Sequence, residues 1–160
     1  MIFDLLFMNI LEKTFDLGFD KFLKSKYLKV NQADIPYFAM KNLNIRFKPK
    51  QLPDRLLLSR ERNICFELKN TISRSIPFYN IKQHQIDFLI EFKKYAGDSF
   101  FIVAFDNLNY VFLIEIDQFI VMKNSIGKKS VNFNDCLIRK FKELNVIKLK
   151  VNFRLDLSVF

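Results

Sequence analysis

The sequence predicts an α/β domain in which helices flank one mixed β-sheet. Short apolar segments, rich in β-branched and aromatic residues, recur along the chain and are typical of strands. Longer segments, in which apolar residues recur with a helical period, lie between and around them. Such an alternation favours a sheet covered by helices. The predicted strands are 56–58, 64–69, 99–105 and 110–116, the predicted helices are 2–26, 81–95 and 133–144, and 145–153 is a possible edge strand.

Length and composition bound the class of protein. A chain of 160 residues fits one domain over 1–160, and 20 Phe with 3 Gly indicate a compact body. The net charge of +9 favours a polyanionic partner, with general solubility as the alternative. Cys65 and Cys136 make no metal-spaced pair, and a single His argues against zinc. The N-terminal apolar segment contains an acidic residue and is not preceded by basic residues, so it is a poor secretory signal. No apolar segment is long enough to span a bilayer, and we therefore expect a cytoplasmic protein.

The first predicted helix carries one polar residue at the border of its apolar stripe. This residue is Glu12, and it has two interpretations. It is either a solvated side chain paired with Lys13, or a third carboxylate that leans over the edge of the sheet. The stripe consists of Phe3, Phe7, Leu11, Phe15, Phe19 and Phe22.

The segment 29–52 is predicted to be irregular and basic. It contains Pro36 and Pro49, and 44–48 could form a short strand. We expect part of 36–50 to project from the body as a basic stalk that contacts nucleic acid, although an ordinary solvated connection would have the same composition. The basic residues concerned are Lys41, Arg46, Lys48 and Lys50.

The central motif is an acid followed thirteen residues later by Glu-x-Lys. Period-two alternation in the strand 64–69 places Glu67 and Lys69 on one face and apolar residues on the other. Asp54, which enters the neighbouring strand, can approach that polar face. Two carboxylates and an amine there can hold a hard divalent cation and a water molecule beside a phosphate. This pattern, PD-(D/E)-x-K, occurs in metal-dependent nucleases, but charged residues that simply face water give the same pattern.

Two polar features follow the motif. Thr71, Ser73 and Arg74 suit phosphate oxygens, or they form an ordinary polar turn. Asn80 is a candidate N-cap for the helix 81–95. Gln85 interrupts the apolar stripe of that helix, and a buried amide needs partners, so we expect it to point at the sheet edge that carries Glu67. His84 is expected on the surface.

Several segments of the chain match one family pattern, and 66–86 is the most specific of them. Phe66-Glu67-Leu68-Lys69 is similar to F-(D/E)-A-K, the stretch Asn70 to Ile81 parallels K-E-T-x-x-x-x-S-F-P-L-x-N-I, and His84-Gln85-Ile86 matches H-Q-I. Leu11-Glu12, Gly97 before its strand, Gly127-Lys128-Lys129-Ser130 and Phe153-Arg154-Leu155-Asp156 are similar to further segments of that pattern. In these segments the chain resembles the RecU family of Holliday junction resolvases, which are homodimeric bacterial enzymes with the restriction-endonuclease-like fold.

This resemblance implies a mixed β-sheet flanked by helices and a role for each site residue. Asp54 and Glu67 would bind Mg²⁺ or Mn²⁺, with the Leu68 carbonyl as a further ligand. Lys69 would orient the attacking water, Gln85 would position the water or a metal ligand, and Glu12 would be an outer carboxylate. The residues expected to hold DNA are Thr71, Ser73, Arg74, Lys41, Arg46, Lys48 and Lys50, with Lys128 and Lys129 as further candidates.

Two departures from the family pattern concern the first acid and the stalk. The family has Thr/Ser-x-D-Y where this chain has Leu52-Pro53-Asp54-Arg55, and the stalk is shorter and lacks the Pro-Thr-Pro signature. Two alternatives to a junction resolvase therefore stay open. One is another nuclease of the same fold that cuts duplex or branched DNA, and the other is a DNA-binding relative that has lost turnover.

Overall fold

The computed structural model describes residues 2–31, 53–105, 108–125 and 127–160. Its centre is a sheet of six strands, which are β1 Leu28–Asn31, β2 Arg55–Leu58, β3 Ile64–Thr71, β5 Asp98–Phe105, β6 Tyr110–Glu115 and β8 Lys142–Glu143. Their order in the sheet is β1-β2-β3-β5-β6-β8. Strands β3 and β5 are parallel, and every other neighbouring pair is antiparallel, so the predicted mixed sheet is confirmed.

Helices cover the sheet, and two small strand pairs lie beside it. The helices are α1 Ile2–Phe22, α2 Gln83–Tyr95, α3 Ile116–Lys123 and α4 Phe133–Ile138, with a 3₁₀ turn at Phe78–Asn80. Strand β4 (Ser75–Pro77) pairs with β7 (Ser130–Asn132), and β9 (Val146–Lys148) pairs with β10 (Phe153–Leu155).

The alternating side chains of the central strands divide the core into two layers. Phe66 and Ile102 belong to the layer that also contains Phe15 of α1. Their neighbours Cys65 and Phe101 belong to the layer that contains the buried residues of α2 and α3. Strand β5 is covered on both faces and is apolar without interruption from Phe100 to Phe105, which is typical of buried parallel strands. Strand β3 is apolar only up to Phe66, and polar residues alternate with Leu68 after that.

The structure adds an edge strand that the sequence reading missed. The segment predicted to be irregular begins at residue 29, but residues 28–31 pair with β2 from Leu28↔Leu58 to Asn31↔Arg55. Leu28 is 66% exposed, so the segment lacks the two-sided burial that makes a strand recognisable from composition. Pairing with β2 determines its conformation. The strand predicted at 44–48, the projection within 36–50 and the basic residues Lys41, Arg46, Lys48 and Lys50 lie outside the described residues.

The predicted start of the second helix is wrong by two residues. Asn80 lies in the 3₁₀ turn, and Lys82 occupies the extended N-cap position of α2. The Gln85 side chain accepts a hydrogen bond from the Lys82 backbone N–H at 3.2 Å. The helix therefore begins with a glutamine at N3 that accepts from the backbone N–H of the N-cap residue, and it does not begin with an asparagine at the N-cap.

The C-terminal third also differs from the prediction. A short helix, α3, follows β6 directly and was not predicted. The helix predicted over 133–144 ends at Ile138, because Lys140 adopts a positive φ of 52° and turns the chain into β8. Residues 146–148 pair with β10 in a separate hairpin, so they do not extend the edge of the main sheet.

In the described part of the chain, no helix combines the length and apolar character that a membrane span requires. Cys65 and Cys136 are both buried and free of disulfide bonds.

Candidate active site

The end of the β2–β3 ladder places the first acid of the motif. Arg55 and Phe66 form the last paired residues of the two antiparallel strands. Beyond them, the Leu68 backbone N–H donates a hydrogen bond to Oδ2 of Asp54 at 2.8 Å. The Asp54 carboxylate thus replaces the missing strand partner and is held directly beside β3.

Glu67 lies at the centre of the polar cluster and is nearly inaccessible to solvent. Its side chain is 2% exposed, and its Oε2 accepts a hydrogen bond from Nε2 of Gln85 at 2.8 Å. The Lys69 ammonium lies 3.5 Å from the same oxygen. The predicted orientation of Gln85 towards Glu67 is therefore confirmed, as is the shared face of Glu67 and Lys69. His84 is exposed, as expected.

The electrostatic environment of Glu67 favours a cation. Burial and the neighbouring Asp54 carboxylate raise the pKa of Glu67 to about 8, although the positive charge of Lys69 acts in the opposite direction. Two adjacent carboxylates in a site of low dielectric resist simultaneous ionisation. A divalent cation between them would remove this penalty.

The oxygen atoms at this sheet edge fit a hard cation. The N–H and C=O of one strand residue point to the same side, so the Leu68 carbonyl faces the side where Asp54 lies. Asp54, Glu67 and the Leu68 carbonyl supply only oxygen ligands, which Mg²⁺ prefers, and water completes such sites. Within the described residues, no group of three or more His, Cys, Asp or Glu side chains could hold a metal ion. The protein ligands that this site offers to a cation are therefore two carboxylates and one backbone oxygen.

Glu12 contacts the site through an arginine that the sequence analysis did not select. Its Oε2 accepts a hydrogen bond from Nη2 of Arg55 at 3.1 Å, and this long-range ion pair stands in place of the pairing with Lys13 that one of its two interpretations gave. Arg55 also binds Asp16 and the backbone oxygen of Asp54. The sequence contained a signal, because Glu12 and Asp16 are four residues apart on one helix face and Arg55 shares the inward face of its strand with Leu57.

The predicted phosphate-binding residues form a turn with its own hydrogen bonds. Oγ1 of Thr71 accepts the Ser73 N–H at 3.1 Å, and Oγ of Ser73 donates to the Ser75 carbonyl at 2.7 Å. Arg74 is exposed, and its guanidinium lies 4.4 Å from the centre of the Phe133 ring. The hydroxyl groups therefore brace the turn, while Arg74 presents a positive charge on a rigid aromatic support.

Pairing of β4 with β7 brings the two predicted basic segments together. The Phe78 N–H donates to the Lys129 carbonyl at 2.9 Å, so Lys129 lies beside the 3₁₀ turn at one end of β4. At the other end, which adjoins the 71–75 turn, the Phe133 N–H donates to the Arg74 carbonyl at 3.0 Å. Lys128 forms an ion pair with Asp135, whereas the Lys129 side chain is exposed. Of these two lysines, Lys129 is the better placed for an external anion.

An open pocket connects this turn with the polar end of β3. Its volume is about 200 Å³. Lys69 and Thr71 contribute to its wall from β3, and Asn80 contributes from the 3₁₀ turn. The sequence reading selected Asn80 only as a helix cap, so its place beside Lys69 is a new observation. The remaining lining residues are Leu68, Asn70, Ser75, Ile76 and Pro77.

An acid at the end of one strand, followed by Glu-x-Lys on the next strand of a mixed α/β sheet, is the arrangement of the restriction-endonuclease-like fold. The family model described as "RecU: Recombination protein U" matches residues 46–158. The chain belongs to this family, and the resemblance seen in the sequence is confirmed.

Two curated relatives and one solved structure are similar to the chain. The Holliday junction resolvase RecU of Geobacillus sp. (strain WCH70) is 32% identical over 89 residues, which cover 53% of this chain and 44% of the relative. The Holliday junction resolvase RecU of Pediococcus pentosaceus is 36% identical over 76 residues, which cover 45% and 38%. The chain thus matches less than half the length of either relative. The structure of the Holliday junction resolvase Hjc of Archaeoglobus fulgidus aligns with a TM-score of 0.48 and 9% identity, over 77% of this chain and 85% of that one.

Proposed function

We propose that the protein is a structure-selective endodeoxyribonuclease that resolves Holliday junctions by metal-dependent hydrolysis of phosphodiester bonds. The observation that carries this proposal is the convergence of Asp54, Glu67 and Lys69 at one sheet edge of a RecU-family chain. The names of the two curated relatives support the substrate. We propose Mg²⁺ or Mn²⁺ as the cofactor, held by Asp54, Glu67 and the Leu68 carbonyl.

Each residue of the cluster has a distinct chemical task. A bound divalent cation would polarise the scissile phosphate and lower the pKa of a coordinated water. Lys69 orients the attacking water, because its ammonium lies on the same face as Glu67. Gln85 fixes the Glu67 carboxylate by donating to Oε2, and it is itself held by the Lys82 N–H. Glu12 acts as an outer carboxylate through its bond to Arg55.

The DNA backbone would follow the pocket and the 71–75 turn towards the β4–β7 pair. Arg74 and Lys129 are exposed along this path, and Thr71 and Ser73 shape the turn between the pocket and Arg74. We propose that Lys128, the neighbour of Lys129 in the chain, adds positive charge along the same path. We propose that the four basic residues before the motif, Lys41, Arg46, Lys48 and Lys50, add contacts to the junction centre. Binding should then weaken with rising salt, because each phosphate contact releases counterions.

A homodimer is the assembly that this substrate favours. A four-way junction has two-fold symmetry and requires two matched nicks, so two identical sites related by a two-fold axis suit it. The two free buried cysteines suit the reducing cytoplasm, where we propose that the protein acts as a single nuclease domain over 1–160.

A cleavage assay with a panel of DNA substrates tests the proposal. The panel contains a four-way junction, a three-way branch and a linear duplex of the same sequences, each with Mg²⁺, with Mn²⁺ and with a chelator. We expect paired nicks in the four-way junction with either metal and no cleavage in the chelator. Preferred cleavage of the duplex would instead favour another nuclease of this fold.

Binding without cleavage in every metal would contradict the enzymatic proposal. A gel-shift measurement on the same junction, performed in the chelator, provides the binding control. Tight binding with no cleavage would identify a DNA-binding relative that has lost turnover.

A further inference from the structure

One buried guanidinium connects the first helix, strand β2 and the first acid of the motif. Nε and Nη2 of Arg55 donate to the two carboxylate oxygens of Asp16 at 2.9 and 3.0 Å. Nη2 also donates to Glu12 at 3.1 Å, and Nη1 donates to the backbone carbonyl of Asp54 at 2.7 Å. The three nitrogens of the guanidinium are thus all used, in the planar fork that distinguishes arginine from lysine.

Burial of the Arg55 guanidinium costs free energy unless all of these hydrogen-bond partners are present. The Arg55 side chain is 8% exposed, and the side chains of Glu12 and Asp16 are 35% and 32% exposed. Lys29 of β1 also bonds to Asp16 at 2.9 Å and so helps to fix that carboxylate. A buried charge of this kind needs complete hydrogen bonding, which makes the geometry around it rigid.

The bond from Arg55 to Asp54 has a consequence for the candidate metal site. It fixes the backbone carbonyl of Asp54, while the Leu68 N–H fixes the carboxylate of the same residue at 2.8 Å. With its main chain and its side chain both anchored, Asp54 has a defined orientation relative to Glu67. Metal ligands generally depend on such outer contacts for their orientation.

We propose that Arg55 is the positioning residue of the first acid. This role for Arg55 rests on the proposed function. In it, Glu12 and Asp16 hold Arg55 in place from α1. The chain departs from its family at this point, because the residue after the first acid is an arginine here and a tyrosine in the family pattern. The α1 carboxylates and Arg55 form one unit, and this unit supplies the anchoring of Asp54.

The test uses amide hydrogen exchange and metal binding in the absence of DNA. The main variant is Arg55→Lys, which keeps the charge and loses the fork. The matched control is Arg62→Lys, since Arg62 also pairs with an aspartate but lies at the opposite end of the hairpin. Exchange is measured by NMR on the metal-free proteins, and Mn²⁺ affinity is measured by calorimetry.

In Arg55→Lys, we expect the Leu68 amide to exchange about tenfold faster, while the amides of the β2–β3 ladder change little. We expect the Kd for Mn²⁺ to rise about tenfold, which is typical for loss of an outer partner of a metal ligand. Arg62→Lys should change neither quantity.

Uniformly faster exchange over β2 and β3 would show that Arg55 stabilises the fold without positioning Asp54, and it would overturn the proposal. An unchanged Leu68 amide together with an unchanged Kd would also overturn it. If Arg55→Lys does not fold, Asp16→Asn replaces it, because this variant removes the charge that pairs with Nε and Nη2 of Arg55 and should therefore loosen the bond from Arg55 to the Asp54 carbonyl. It is judged by the same two readouts. Wild-type protein that binds no Mn²⁺ would contradict the proposed metal site, and the Leu68 amide would still decide the role of Arg55.

Discussion

The two ends of the β2–β3 hairpin each carry an arginine paired with aspartate, but in opposite environments. At the turn end, the Arg62 and Asp98 side chains are 43% and 35% exposed. At the site end, Arg55 is 8% exposed and contacts two carboxylates and one carbonyl. An exposed ion pair contributes little to stability, whereas a buried one fixes geometry, because removing one partner leaves a buried charge unpaired.

The turn end has other means of holding its shape. Oγ of Ser59 donates to the Arg62 carbonyl at 2.7 Å, and the Asp98 N–H donates to the Asn63 carbonyl at 2.9 Å. Gly97 lies so close to Asn63 that a Cβ atom at Gly97 would overlap the Asn63 carbonyl. The ion pair at this end is therefore an accessory, while the network at the site end determines where Asp54 lies.

Among variants that keep both carboxylates, the largest effect that distinguishes the two ends is expected from Lys69→Met. Loss of the ammonium beside Glu67 should reduce junction cleavage about 10³-fold, since general acid–base groups contribute on this scale. Single-turnover cleavage in Mg²⁺ measures the effect, and Arg62→Met serves as the control at the turn end. Comparable rates for the two variants would contradict the assignment of Lys69.

The raised pKa of Glu67 predicts how the stability of the metal-free protein depends on pH. The folded-state pKa of about 8 lies above the ordinary value of 4.5, so folding favours the protonated carboxyl group. This contribution is complete below the ordinary pKa and is lost as the pH rises through about 8. From pH 5 to pH 9, the free energy of unfolding should fall by on the order of 3 kcal/mol more in wild type than in Glu67→Gln.

Urea denaturation in a chelator, at several pH values, measures this difference. Parallel curves for wild type and Glu67→Gln would show that Glu67 is not the group responsible. The same measurement on Glu91→Gln, an exposed position of α2, controls for the removal of one negative charge.

A smaller effect is expected from Gln85→Leu. The variant restores an apolar stripe on α2, which offsets the lost cap on the Lys82 N–H, so the protein should still fold, but the variant removes the bond to Oε2 of Glu67. Cleavage should fall about 10- to 100-fold, as for other partners that orient a metal ligand. Gln83→Leu is the matched control, because Gln83 is exposed on the same helix. A Gln85→Leu enzyme as active as the Gln83→Leu enzyme would remove Gln85 from the mechanism.

The smallest effect is expected at the turn end. Asp98→Asn breaks the exposed pair with Arg62 and should lower the free energy of unfolding by about 0.5 kcal/mol, with cleavage unchanged. Thermal or urea unfolding measures it. A loss as large as that caused by Asp16→Asn would show that exposure does not explain the difference between the two ends.

Much of the site was predictable because it depends on local periodicity. Alternation along β3 placed Glu67 and Lys69 on one face, and the interrupted stripe of α2 placed Gln85 towards Glu67. The Arg55 network was missed, since it joins residues 39 and 43 positions apart in the chain and needs the packing of α1 against the sheet. The pairing of β4 with β7 was missed for the same reason, because neither three-residue segment carries a strand pattern of its own.

Asp54→Asn provides the most direct test of the central claim, that the hairpin end is a metal-dependent nuclease site. Cleavage and binding of one four-way junction are measured in parallel, with Asp98→Asn as the matched substitution at the turn end. We predict that Asp54→Asn loses cleavage by about 10³-fold or more in saturating Mg²⁺ or Mn²⁺ and retains near wild-type junction affinity, because affinity depends mainly on basic residues. A folded Asp54→Asn protein that cleaves as fast as the Asp98→Asn protein would contradict the claim.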